Sequence, residues 1–214
     1  MDFGPNYACR WGYVDIEGLM MNINWGGVDF GAKLAGTTAI TYILEDQLKI
    51  AQTTKGQDAD KWLVKIIKEN NLDYIFIDAP LSLPGAFFGK GDDFNYRKAD
   101  RLTNAMSPMF LGGLTARAIK LKTELTHYGV NFIEVYPGGF VRNQPSYKMF
   151  YNKKDLTSLS KMTEELLPTI RHNFSEKPTN YHQLDSLICW YIGERYLKGL
   201  AQSLGDAEEG LIWI

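Results

Sequence analysis

Two apolar segments of this chain end in a carboxylate: WGGVD at residues 25–29, closing on Asp29, and YIFID at 74–78, closing on Asp78. A third, NFIEVY at 131–136, carries Glu134. A strand that is apolar along its length and acidic at its tip belongs in the middle of a sheet with its charge at the rim, because burying a lone carboxylate is very costly. A fourth acid, Asp185, follows His182 by three residues in an apolar helical stretch, so the two share a helix face. Acids gathered from three strand rims and one helix read as a site for a divalent cation, Mg²⁺ or Mn²⁺.

The surrounding pattern predicts how those rims meet. Segments 36–44 and 47–53 alternate around a Glu45-Asp46 turn, which with the first strand makes a three-strand antiparallel meander. Ala59, Trp62, Leu63, Ile66 and Ile67 then recur at helical spacing within 57–70, and a second helix over 115–127 precedes the strand at 131–136. Helices near 157–172 and 181–199 complete the order β-β-β-α-β-α-β-α-α. Three antiparallel strands followed by two α-crossed strands give an α/β fold with a mixed five-stranded sheet flanked by helices, and they set Asp29 beside Asp78. Irregular inserts near 80–114 and 137–156 read as walls of a cleft. Residues 1–24 read as an N-terminal extension or edge hairpin, and 25–214 as one domain.

Composition removes several classes of function. Hydrophobic residues are 45% and charged residues 22% of 214, ordinary for one globular domain. Cys9 and Cys189 lie too far apart in sequence to suggest a disulfide framework or a zinc cluster. No signal-peptide pattern or 18-residue apolar run occurs, so the expected compartment is the cytoplasm with no membrane partner. Two-fold assembly, a homodimer, is the base-rate expectation. A formal charge of −2 leaves only local nucleic-acid binding. Residues 90–122 offer such a patch, with seven basic residues against three acidic ones. Arg97, Arg101, Arg117 and Lys120 are its candidate substrate contacts.

Each candidate has a plainer competing role. Asp29 serves equally as a turn cap, and Glu134 as a salt-bridge partner of Arg97 or Arg117. His182 and Asp185 also suit an N-terminal cap cluster, and Arg97 and Arg101, one turn apart, either clamp a phosphate or pair with nearby Asp100. The P-loop, the strand-following G-x-G-x-x-G, G-x-S-x-G and H-E-x-x-H motifs are all absent.

Taken together, VDFGAKLAGTTAI at 28–40, IDAPLSLP at 77–84, YRKADR at 96–101, LTARAIKLK at 114–122, IEVYPGG at 133–139, LDSL at 184–187 and LGDAEEGLIWI at 204–214 resemble an uncharacterised family of predicted nucleases with a ribonuclease H-like fold, domain of unknown function 429. The resemblance runs from about residue 25 to the C-terminus. It implies a central first strand ending at Asp29, Asp78 closing the fourth strand, Glu134 on the fifth and Asp185 on the last helix. His182 resembles the histidine one turn before the last acid in some resolvases of that fold. The implied activity is metal-dependent phosphodiester hydrolysis on DNA or RNA, a hydrolase role. Two alternatives share the sheet: a nucleotide-phosphate-binding ATPase-like protein, for which 214 residues leave no second lobe, and a non-catalytic interaction protein using exposed aromatic rings.

Overall fold

A computed structural model of the chain describes residues 23–214. Most of the expected N-terminal extension or hairpin therefore lies outside the described residues. Strand β1 is Trp25–Asp29, antiparallel to β2, Ala39–Leu44, which is antiparallel to β3, Gln47–Gln52. Glu45 and Asp46 join β2 to β3 with φ of 51° and 59°, the left-handed pair that a two-residue hairpin requires. Helix α1, Ala59–Glu69, begins at Asp58, whose carboxylate accepts from the Asp60 and Lys61 amides, and returns the chain to β4, Tyr74–Asp78. Helix α4, Gly113–Thr126, returns it again to β5, Asn131–Glu134.

Strands β4 and β5 run parallel to β1, giving a mixed sheet in the order β5-β4-β1-β2-β3-β6. The sixth strand exceeds the five expected. It is Asn173–Phe174, two residues paired parallel to β3, too short for periodicity to reveal. It also falls just beyond a stretch read as helix to 172. Helix α7, Leu156–Leu166, instead tightens into a 3₁₀ turn at Leu167–Thr169, where Pro168 cannot continue the ladder.

A hairpin of β7, Ser203–Asp206, and β8, Gly210–Trp213, is a second addition. It lies beside β5 through the Val135–Trp213 bridge. The two inserts are not irregular. The first holds a 3₁₀ turn at Gly85–Phe88, α2 at Lys98–Thr103 and α3 at Pro108–Leu111, and the second holds α5 at Pro137–Arg142 and α6 at Pro145–Lys148.

One core lies under α1 and α4, with Val28, Ile40, Leu63, Ile67, Ile75 and Ile77 buried together. The other lies under α8, Tyr181–Leu197, where Trp190 stacks on Trp25 with ring centroids 5.0 Å apart beside Phe76. Burying each such side chain is worth about 1.5–3 kcal/mol. Glycine sets how closely α8 approaches. A Cβ at Gly27 would sit 2.0 Å from the Trp190 nitrogen and 2.4 Å from the Ser186 carbonyl, and one at Gly193 would sit 2.3 Å from the Phe76 ring. The missing side chains let α8 press onto β1 and β4, which brings its second turn, with Asp185, to the rim where Asp29 emerges.

Candidate metal centre

The strand pleat decides which acids meet. Asp29 and Asp78 are register partners at the C-terminal ends of neighbouring parallel strands. Side chains alternate faces, and Gly27 and Phe76 face α8, so Asp29 and Asp78 do too. The expected adjacency is present. Glu134 is the register partner of Ile77 and follows the parity of Phe132, which places it toward the opposite core. It lines the same cavity as Asp29 and Asp78 but does not face α8 with them.

Glu134 and Arg97 form a buried network instead. Arg97 is fully buried and donates to Glu134 Oε1 at 2.6 Å, Glu134 Oε2 at 2.7 Å, Asp100 Oδ1 at 2.6 Å and Ser82 Oγ at 2.8 Å. The Leu81 amide donates to Glu134 Oε2 at 2.8 Å. Burial alone would lower the Arg97 pKa, but its bonds to Glu134 and Asp100 outweigh that and raise it. This is the salt-bridge role of Glu134, and it removes Arg97 from substrate.

The other basic candidates are also paired. Arg117 is forked onto Asp60, with Nη2 to Oδ1 at 2.6 Å, and also donates to the Gly31 carbonyl. Arg101 reaches Asp93 at 2.7 Å and Lys120 reaches Glu124 at 3.5 Å, both on the surface. The first insert does wall the cleft as expected, mostly with apolar groups and with Asp100. A cavity of about 280 Å³ is lined by Asp29, Asp78, Asp100 and Glu134 together with Met106, Leu111, Leu114 and Tyr136.

On the α8 side, the His182 ring lies with Nδ1 2.7 Å from Asp29 Oδ2. That hydrogen bond raises the His182 pKa, against the lowering effect of burial. Asp185, 1% exposed, accepts from the Tyr151 hydroxyl at 2.6 Å and from Lys153 Nζ at 2.5 Å. Burial pushes its carboxyl up to about 6, with Lys153 opposing and Asp29 adding to the rise. Neither Tyr151 nor Lys153 is evident from sequence, since they reach Asp185 across 34 and 32 residues and belong to no local motif.

Among the described residues, nothing donates to the Asp78 carboxylate. Burial raises its pKa well above the ordinary value, and the charges of Asp29 and Asp185 raise it further.

Among the described residues, no group of three or more His, Cys, Asp or Glu side chains is gathered so as to hold a metal ion as it stands. Two carboxylates in register, one unpaired and one with a single oxygen bonded to His182, nevertheless match what Mg²⁺ takes from protein when it keeps several waters. Comparisons with protein-family models, curated proteins and solved structures gave no match. Among the described residues, no helix is long and apolar enough to cross a membrane.

Proposed function

We propose that this chain hydrolyses phosphodiester bonds in DNA or RNA with Mg²⁺ or Mn²⁺, on a ribonuclease H-like sheet of the kind its resemblance to the predicted-nuclease family implies. The observation that carries this reading is the Asp78 carboxylate, unpaired among the described residues and in register with Asp29, in a cleft that both line. Asp29 and Asp78 would hold the ion. Bound there, it would supply an activated water and charge neutralisation at phosphorus.

The chain's own groups supply the rest. Asp29 fixes the His182 ring through Nδ1 and favours its protonated form, so the imidazole holds a proton for the leaving oxygen. Exposed Phe110 packs edge-on to Tyr96, and Arg101 lies 4.0 Å over the Tyr96 ring, giving bases a stacking face near the cleft wall. With Arg97 and Arg117 engaged internally, substrate contact falls to that face and to the surface residues Arg101 and Lys120.

A second reading rests on the exposure of Phe87, Phe88, Phe94 and Phe110, which suits a protein-docking face on a non-catalytic chain. Labelled single- and double-stranded DNA and RNA, incubated with Mn²⁺, with Mg²⁺ and with EDTA, separate the two. Metal-dependent cleavage that Asp78→Asn abolishes supports the nuclease. No cleavage of any of the four substrates overturns it and leaves the docking face.

A further inference from the structure

Lys153 is held over the acidic centre by more than its own ion pair. Its segment is fixed to the start of α8, where the Tyr181 hydroxyl donates to the Asn152 carbonyl at 2.8 Å and the Tyr151 and Tyr181 rings meet edge to face at 5.8 Å. From there the ammonium takes one oxygen of Asp185 while Tyr151 takes the other. Both Asp185 oxygens are thus engaged, whereas among the described residues Asp78 has no donor and Asp29 has only His182. Among the described residues of the centre, the uncommitted oxygens are those of Asp29 and Asp78. Three carboxylates against the Lys153 ammonium and a protonated His182 leave one negative charge, which a single divalent cation already exceeds.

Resting on the metal-dependent reading, we propose that Lys153 is a built-in counter-ion that occupies the second cation position of the centre, so that the cleft holds one divalent ion per chain, between Asp29 and Asp78. The Lys153 side chain is 54% exposed, so its replacement leaves the core intact.

Calorimetric titration of the full chain with Mn²⁺ tests this. The wild-type protein binds one equivalent and Lys153→Arg also binds one. Lys153→Met binds a second, and its first equivalent tightens by about tenfold, the scale expected for removing one unit charge near a divalent ion. Lys153→Gln serves as a second neutral variant, with thermal melting to verify folding. Two equivalents bound by wild type, or Lys153→Met and Lys153→Gln titrating like wild type, overturn the counter-ion role and leave the metal site standing. No Mn²⁺ bound by wild type or by either neutral variant overturns both.

Discussion

Asp78→Asn should make the metal-free protein more stable and the metal-loaded protein less stable than wild type. Asp78 meets the charges of Asp29, Asp185 and Glu134, with Lys153 opposing them, and burial is the largest penalty on its ionised form. Its nearest like charge is one strand away, roughly 5–6 Å at strand spacing, which at an effective dielectric of about 40 costs about 1.5 kcal/mol. Lys153 offsets part of the remainder, so the neutral amide should gain about 1–2 kcal/mol, or about 3–6 °C in Tm for a domain of this size. Divalent metal at about one hundred times its Kd should add about 2.7 kcal/mol to wild type and nothing to the variant. Thermal melts at about pH 7.5, in EDTA and across a Mn²⁺ titration, should therefore cross. A variant that melts at or below wild type in EDTA, or that gains as much from Mn²⁺, would refute the reasoning.

Other consequences are independent of metal. Gly27→Ala would drive a methyl into the backbone of α8 at Ser186 and Trp190, and should cost more than about 3 kcal/mol by chemical denaturation or prevent folding. Arg97→Ala leaves Glu134 and Asp100 as buried unpaired charges and should cost about 3–5 kcal/mol, whereas Arg101→Ala should leave the melting temperature essentially unchanged. Metal-free stability should fall as pH rises from about 4 to 8. The folded-state pKa of Asp185 is raised to about 6, so its contribution is present in acid and lost as pH climbs through that value, by up to about 3 kcal/mol. His182, also raised, loses its contribution in the same direction. A flat or rising profile of melting temperature over that range contradicts this.

Strand tips and helix spacing were enough to bring Asp29, Asp78, Asp185 and His182 to one end of the sheet, because period two and period 3.6 are local properties. The Glu45-Asp46 hairpin was legible for the same reason. Glu134 shows the limit. Its strand was recognised and its parity with Phe132 was visible, but which face Phe132 occupies depends on the helices that cover it. Charge counting over 90–122 registered the basic residues without their partners, and Asp60 lies 57 residues from Arg117. Strand β6 and the short insert helices depend on tertiary pairing or on caps such as Ser107 before Pro108, which span too few residues to show a period. Lys153 and Tyr151 are the clearest case, since nothing in Tyr151-Asn152-Lys153 marks an approach to Asp185.

Diffraction from crystals soaked in millimolar Mn²⁺, recorded to measure anomalous scattering, tests the metal centre most directly. The account predicts a single peak about 2.0–2.3 Å from carboxylate oxygens of both Asp29 and Asp78, with Lys153 still on Asp185. A map with no peak between Asp29 and Asp78 would contradict it.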